Sequence, residues 1–350
     1  MISPRPGFRH PDLPKNDLGY TRRDYEGLPS TLCAGCGHDS ISNAIINACF
    51  ELSLEPSGIA KMSGIGCSSK TPAYFLGKSH GFNSVHGRMP SIATGANMAN
   101  LDLVYIGVSG DGDTASIGMG QFVHIIRRNL NMVYIVMNNG CYGLTKGQDS
   151  ATADRGSAGK KGWPNPFESI DLCELAIALG AGFVARGFSG DKEQLVPLLK
   201  AAITHRGFAL VDVISPCVTF NNTAASTKSY QWVLDHKEAT AFFDFIPPRK
   251  EITTQYEKGT TQSVTLHDGG VIQPHKSDGS LDITRRRPAI DALELHREKG
   301  RLLTGILHIN EGLKDIHDIL ETTETRLNTL AEKDLCPGNQ ALQDILGNYR

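Results

Sequence analysis

The sequence predicts an α/β protein built on a doubly wound, mostly parallel sheet. Two observations predict this fold: apolar strand-like runs alternate with segments of helical periodicity, and Gly-rich polar turns follow several of the runs. The runs LDLVYIGVSG at 101–110 and NMVYIVMNN at 131–139 are continuously apolar, which is typical of strands buried on both faces. Strands that alternate with helices imply a parallel sheet covered by helices on both sides.

The elements follow one another in a regular order. Residues 38–55 predict a helix, because Ile41, Ala44, Ile45, Ala48 and Leu52 recur at helical spacing. GIAKMSGI at 58–65 predicts a short strand that ends in glycines. Around the two long apolar runs, the sequence predicts helices at 117–129, 169–181 and 192–206, and strands at 182–188 and 207–215.

Composition divides the chain into three parts. Residues 1–25 are Pro-rich and polar and predict an N-terminal arm, 26–247 form the main domain, and 248–350 form a C-terminal extension. In the extension, SVTLHDGGVIQPH predicts a hairpin that turns at 268–270. From about residue 305 an apolar stripe at steps of three and four predicts a helix, which carries Ile309, Leu313, Ile316, Leu320, Leu327 and Leu330.

The overall composition excludes some classes of protein. Of 350 residues, 40% are apolar, and 35 basic against 37 acidic residues give a net charge of −2. This balance argues against a nucleic-acid binder that relies on a basic surface. No apolar run is long enough to span a bilayer, and the N-terminus has no apolar signal segment, so we expect a cytoplasmic protein. Eight cysteines in a reducing compartment suggest metal ligation or buried thiols.

The first chemical motif is Gly110-Asp111-Gly112-Asp113, which lies between a predicted buried strand and a predicted helix. Glycines allow a tight turn, and the helix N-terminus that follows favours a phosphate group. An aspartate beside a phosphate is a natural Mg²⁺ ligand. Taken alone, the motif also fits an ordinary turn between a strand and a helix.

The second motif is Asn138-Asn139-Gly140-Cys141-Tyr142-Gly143-Leu144-Thr145, which follows the next predicted strand. Because consecutive strands of a parallel sheet are often neighbours, Asn139 should lie near Asp111 and offer a carbonyl oxygen to the same ion. The backbone carbonyl of Cys141 could supply a third oxygen. Asn-Asn-Gly is also common turn chemistry, so the pair of motifs is more specific than either one.

These residues carry a family resemblance. The strings SGDGDTASIG, HIIRRNLNMVYIVMNN and YGLTKGQDSAT resemble thiamine diphosphate enzymes, and most closely the β subunit of 2-oxoacid:ferredoxin oxidoreductases, over about 25–245. The resemblance implies the sheet type of the pyrophosphate-binding domain of those enzymes. It also implies that Asp111, Asn139 and the Cys141 carbonyl hold Mg²⁺. Around the cofactor diphosphate it places Gly112, Asp113, Gly143 and Leu144.

Four cysteines form the third constellation: the pair Cys33 and Cys36 in a CxxC motif, Cys67 in a Gly-rich loop, and Cys217 after the last predicted strand. By residue type alone, four thiolates suit either a [4Fe–4S] cluster or tetrahedral Zn²⁺. The family resemblance implies one [4Fe–4S] cluster. Cys49 and Cys173 are expected to be buried thiols on helices, and Cys336 has no assigned role.

The resemblance also nominates residues near the reacting end of the cofactor. It places His86 of the His-Gly-Arg sequence at the cofactor, and the loop Ile65, Gly66, Cys67 and Ser68 at its border. Lys70 matches a contact for the distal carboxylate of the substrate, although an isolated lysine is usually just solvated. His38 suits a structural role as well as a contact.

The activity that the resemblance implies is CoA-dependent oxidative decarboxylation of 2-oxoglutarate to succinyl-CoA and CO₂, or the reverse, with electrons leaving through the cluster to ferredoxin. Such a β subunit needs an α subunit, in an αβ or (αβ)₂ assembly. Pyruvate or a broad range of 2-oxo acids is the alternative substrate. A zinc-stabilised, non-catalytic α/β binding module is the alternative from another class, and metal content separates it from the enzyme.

Overall fold

A computed structural model describes residues 13–157, 164–217, 252–265, 271–336 and 338–349. Its centre is an eight-stranded sheet in the order β11-β12-β7-β8-β4-β3-β1-β2. These strands are β1 Ile59–Ser63, β2 His80–Asn83, β3 Val104–Gly110, β4 Met132–Asn138, β7 Phe183–Phe188, β8 Phe208–Ile214, β11 Pro274–Lys276 and β12 Leu302–Ile309. Two small antiparallel pairs lie outside it, β5 Cys141–Tyr142 with β6 Gln148–Asp149, and β9 Val264–Thr265 with β10 Val271–Ile272.

Six adjacent strands of the sheet are mutually parallel, in the order β2, β1, β3, β4, β8 and β7. This arrangement confirms the predicted fold class. In the sheet, β3 and β4 are direct neighbours, with Gly110 opposite Met137. All seven residues of β4 and of β8 are buried, as expected for central strands covered on both faces.

Helices cover both faces of the sheet and create two cores. On one face lie α1 Gly37–Glu51 and α5 Lys192–Thr204. On the other lie α2 Met89–Ala99, α3 Met119–Arg127, α4 Leu172–Leu179 and α6 Arg286–Glu298. The helices predicted at 38–55, 117–129, 169–181 and 192–206 are confirmed, and each is shorter than predicted.

The helix predicted from about residue 305 is wrong. Residues 302–309 form strand β12, which joins the sheet antiparallel to β7. Gly305 has φ +122°, outside the helical region. Only short helices follow, α7 Ile316–Leu320, α8 Glu332–Leu335 and α9 Gly338–Gly347. The apolar stripe therefore runs through several elements, and its helical spacing is a coincidence.

The C-terminal extension and the N-terminal arm both contact the main domain or form the expected pairing in their described parts. In the extension, β9 and β10 pair as the predicted hairpin requires, and its turn at 268–270 lies outside the described residues. Of the predicted arm, residues 13–25 lie against the main domain, because Tyr25 is fully buried and its hydroxyl donates to the carbonyl of Leu54 at 2.7 Å. Among the described residues, none of the helices combines the length and apolar character that crossing a bilayer requires.

Candidate active site

The candidate site lies at the carboxyl edge of the sheet. Strands β1, β3, β4 and β8 are parallel neighbours or next neighbours, so the loops that follow them emerge together. Open α/β sheets bind ligands at this edge. The nominated segments 64–70, 111–113, 139–144 and 215–217 all belong to these loops.

Asp111 is buried with its carboxylate held by three donors. Its Oδ1 accepts the backbone N–H of Asn139 at 3.2 Å, and its Oδ2 accepts the hydroxyls of Ser150 and, at 2.8 Å, Thr152. Burial raises the pKa of Asp111, and the bonds from Ser150, Thr152 and Asn139 act in the opposite direction. Donors that stabilise the ionised form prepare this carboxylate for a cation.

Asn139 lies beside Asp111, as the adjacency of β3 and β4 predicts. Its side-chain oxygen accepts the backbone N–H of Cys141 at 3.1 Å, which turns the chain back over the sheet edge. Asp111, Asn139 and Cys141 are all buried and line one narrow pocket. The two halves of the sequence motif thus converge on one point.

Asp113 is engaged by the protein itself. Its Oδ1 accepts the N–H of Gly87 at 2.7 Å and its Oδ2 accepts the Ser109 hydroxyl at 2.8 Å. The first bond ties the His86-Gly87-Arg88 loop to the Gly-Asp-Gly turn. The His86 side chain is exposed, so this contact brings the loop, rather than a buried imidazole, to the site.

Glycines at the site leave no room for side chains. A Cβ on Gly64 would lie 1.9 Å from Oδ2 of Asp113, and one on Gly112 would lie 2.5 Å from the Tyr142 ring. The Tyr142 hydroxyl donates to the Gly112 carbonyl at 2.9 Å. The pocket brings together most of the nominated residues, namely Ile65, Gly66, Cys67, Ser68, Asp111, Gly112, Asp113, Asn139, Cys141 and Gly143.

The four nominated thiols gather next to this pocket. A Cβ on Gly143 would lie 3.4 Å from Sγ of Cys67 and 3.7 Å from Sγ of Cys217. Burial raises the pKa of Cys36 to about 12, and Cys217 and Cys67 add to the rise. Cys33 likewise raises the pKa of Cys67, after burial and Cys217.

The start of α1 brings the CxxC loop to the loop after β8. A Cβ on Gly37 would lie 2.6 Å from the Ser189 hydroxyl and 2.7 Å from that of Ser215, so the two segments are in close contact. His38 is fully buried there, and its Nδ1 lies 2.6 Å from the Ser215 hydroxyl. Burial lowers the pKa of His38 to about 4, and the residue also lines the candidate pocket.

As placed in the structure, the described thiols do not form a ligand set for one metal ion. In the described ranges, no three His, Cys, Asp or Glu side chains stand close enough together to hold one metal ion. Tetrahedral zinc needs its ligands at about 2.3 Å. Cys49 and Cys173 are buried in the cores as predicted, and Cys336 is exposed.

Two further nominated residues lie on the surface of the chain. Leu144 is 51% exposed, and Lys70 is exposed in the short helix that follows Cys67. Burial and Cys217 raise the pKa of Cys67, and the Lys70 ammonium acts in the opposite direction.

Sequence reasoning missed Ser150, Thr152 and Tyr142 as functional candidates. All three lie in the string that runs from Asn138 to Thr152, which supplied part of the family resemblance. Hydroxyls spaced two residues apart carry little signal by themselves. Only the fold shows that the Ser150 and Thr152 hydroxyls reach the same oxygen, Oδ2 of Asp111.

A buried ion cluster lies beside the site. Arg186 on β7 pairs with Asp212 of β8 at 3.2 Å and with Asp171, the N-cap of α4, at 2.5 Å. Burial raises the pKa of Asp212 despite the opposing charge of Arg186. For Asp171, burial is outweighed by Arg186 and the other donors, so the pKa of this carboxyl is lowered.

Arg186→Met should destabilise the chain by about 3–5 kcal/mol, because it leaves the buried carboxylate of Asp212 without its cation. Urea unfolding measures the loss. Arg287→Met is the matched control, since the pair of Arg287 with Asp291 is exposed and its loss should change stability by less than about 0.5 kcal/mol. Equal losses in the two variants would contradict the role of Arg186.

Comparison with known proteins agrees with the class that the fold and the site define. Residues 63–213 match the family model described as thiamine pyrophosphate enzyme, C-terminal TPP binding domain. The chain therefore contains an α/β domain of the thiamine pyrophosphate-enzyme class over these residues.

Individual relatives narrow the class to a family. The chain is 46% identical over 191 residues to the 2-oxoacid:ferredoxin oxidoreductase subunit beta of a Sulfolobus species. The matched region covers 54% of this chain and 63% of that protein. It is 41% identical over 207 residues to the 2-oxoglutarate synthase subunit KorB of Methanocaldococcus jannaschii, covering 58% and 74%. The chain belongs to the family of 2-oxoacid:ferredoxin oxidoreductase β subunits.

A solved structure shares the fold over most of the chain. It is the 2-oxoglutarate:ferredoxin oxidoreductase from Magnetococcus marinus with 2-oxoglutarate, coenzyme A and succinyl-CoA bound, at 29% identity and a TM-score of 0.69. The match covers 89% of this chain and 93% of that one. The sequence matches are shorter, and this chain spans less than two thirds of the length of the Sulfolobus relative.

Proposed function

We propose that the chain is the thiamine diphosphate- and cluster-binding subunit of an enzyme that oxidatively decarboxylates 2-oxoglutarate to succinyl-CoA and CO₂ and delivers electrons to ferredoxin. The observation that carries the proposal is the position of Gly143. This residue follows the Asn139 turn of the metal motif and lies against the thiols of Cys67 and Cys217. A diphosphate loop and a thiol cluster in contact suit an enzyme that draws electrons from its organic cofactor.

The described residues fit the two cofactors. Asp111, Asn139 and the carbonyl of Cys141 offer oxygen ligands for Mg²⁺, and Gly112 lines the same pocket. Cys33, Cys36, Cys67 and Cys217 supply the four thiolates that a [4Fe–4S] cluster needs. When bound, thiamine diphosphate supplies the carbon nucleophile for decarboxylation.

The chain's own residues have separate tasks in this proposal. Asp111 neutralises the metal and thereby anchors the diphosphate, while Asp113 fixes the loop of His86 through the amide of Gly87. The exposed side chains of His86, Lys70 and Leu144 lie in segments that follow β2, β1 and β4, where substrate and the α subunit would approach. Completion of the site by an α subunit explains why these side chains are exposed in the single chain.

The test uses this chain co-expressed with its α subunit and purified without oxygen. Reduction of ferredoxin should require 2-oxoglutarate, coenzyme A and both subunits. A complex that turns over pyruvate faster than 2-oxoglutarate would correct the substrate. A complex that holds zinc and no sulfide, with no activity on any 2-oxo acid, would overturn the proposal.

Lys70→Ala should lower kcat/KM for 2-oxoglutarate by roughly 10- to 150-fold, because a bond to a charged group contributes roughly 1.5–3 kcal/mol. Pyruvate lacks a distal carboxylate, so its kcat/KM should fall much less. Lys200→Ala on α5, where the lysine pairs with Glu51 away from the site, is the control. If iron content is intact and both substrates lose the same factor, Lys70 does not recognise the carboxylate.

A further inference from the structure

Two hydroxyls converge on a single oxygen of the candidate metal ligand. The Ser150 hydroxyl and the Thr152 hydroxyl both reach Oδ2 of Asp111, and the Oδ1 atom accepts only a backbone N–H among the bonds described above. A carboxylate oxygen has about two acceptor positions. The hydroxyl pair therefore saturates Oδ2 and leaves Oδ1 as the oxygen with room for a metal ion.

The hydroxyl pair is itself held in a fixed geometry. The Thr152 N–H donates to the Ser150 oxygen at 3.2 Å, so the two residues form one local turn. The Thr152 oxygen lies 2.8 Å from Asp111, 2.9 Å from Ser150 and 3.1 Å from Oδ1 of Asn138. A hydroxyl has one proton, and a carboxylate is a stronger acceptor than an amide. The Thr152 proton therefore points to Asp111.

The side-chain oxygen of Asn138 faces Thr152 from the other side as a competing acceptor, and a buried chain of contacts holds it there. Asn138 donates through Nδ2 to Asp212 at 3.1 Å, which turns its carbonyl oxygen towards Thr152. Asp212 in turn is paired with Arg186. Thr152, Asn138, Asp212 and Arg186 are all buried, so solvent does not compete for the Thr152 proton.

We propose that Ser150 and Thr152 are positioning residues of the metal site, which saturate one carboxylate oxygen of Asp111 and direct the other to the divalent cation. The inference rests on the proposed role of Asp111 as a metal ligand. Mg²⁺ demands near-ideal octahedral geometry, so a carboxylate that can rotate binds it less well. Residues that orient a metal ligand typically contribute about 10- to 100-fold to metal affinity.

The experiment measures Mn²⁺ binding to the αβ complex in the presence of thiamine diphosphate, by electron paramagnetic resonance of free Mn²⁺. Thr152→Val keeps the shape but removes the hydroxyl, and should raise the dissociation constant about 10- to 100-fold. Ser150→Ala should weaken binding in the same direction. Thr152→Ser retains the hydroxyl and should restore affinity to within about threefold of the wild type, well short of the loss expected on removing it.

Two controls separate the possible outcomes. Thr204→Val on α5 removes a hydroxyl that bonds its own helix, and should leave Mn²⁺ affinity unchanged. If Asp111→Asn abolishes Mn²⁺ binding while Thr152→Val and Ser150→Ala only lower the melting temperature, the positioning role is wrong and the metal site stands. If Asp111→Asn leaves Mn²⁺ binding intact, the proposed metal site itself fails.

Discussion

Replacing Asp111 with asparagine should lower the affinity of the αβ complex for Mg²⁺ and thiamine diphosphate together, and kcat/KM by more than about 100-fold. Residues that only orient a metal ligand contribute up to about 100-fold, so loss of a charged ligand should exceed that. The amide has the same shape as the carboxylate, so the change preserves packing while it removes the charge and one of the two acceptor oxygens. Neutral oxygens would then face a hard divalent cation without an anionic partner.

The measurement is a calorimetric titration of the complex with thiamine diphosphate at saturating Mg²⁺. Iron content should stay at the wild-type level, because Asp111 makes no described contact with the four thiols. Asp102→Asn is the matched control, since Asp102 precedes β3 at the opposite edge of the sheet and pairs with exposed Arg326. Unchanged cofactor affinity in Asp111→Asn would rule Asp111 out as the ligand.

Sequence reasoning was sufficient for the sheet and for the meeting of the two motifs. Strands β3 and β4 are continuous apolar runs, and such runs are buried centrally whatever their detailed partners. Once the two strands are neighbours, Asp111 and Asn139 must emerge at the same edge. Local patterns and one topological rule therefore predict the core of the candidate site.

Contacts between segments that are far apart in the sequence could not be predicted from local patterns. Strand β12 pairs with β7, which lies more than a hundred residues earlier in the chain. The apolar residues of LLTGILHI fit both the helical and the strand periodicity, so the local sequence does not distinguish the two structures. The hydroxyls of Ser150 and Thr152 reach Asp111 only because the chain turns back through β5 and β6. Such returns depend on tertiary packing, which composition and periodicity do not encode.

For the four thiols, the sequence indicates which cysteines are candidates but does not show that they lie close together. The cysteines were nominated from residue type and resemblance, and their proximity depends on Gly37 and Ser215 meeting at the edge of the sheet. No spacing rule predicts that contact, because Cys36 and Cys217 are 181 positions apart (217 − 36). The fold brings CxxC, Cys67 and Cys217 together on three separate loops.

Cys217→Ser should remove most of the iron from the anaerobically purified complex and nearly all of its ferredoxin reduction. The wild-type complex should contain about four iron atoms and matching acid-labile sulfide per chain, the complement of one [4Fe–4S] cluster. A serine hydroxyl is a hard, protonated donor at neutral pH, so it cannot replace a thiolate that the cluster requires. The brown colour and the iron content should therefore fall together.

Thiamine diphosphate affinity gives this variant its second measurement. Cys217 lies beside Gly143 rather than among the oxygen ligands, so Cys217→Ser should bind the cofactor within a few-fold of the wild type while electron transfer is lost. Cys336→Ser is the control, because Cys336 is exposed in the C-terminal extension and should keep full iron and activity. If Cys217→Ser retains its iron, another residue holds that corner of the cluster. If the wild-type chain instead contains one zinc ion and no sulfide, the four thiols form a structural metal site. The contact of Cys67 and Cys217 with Gly143 would then have no role in electron transfer.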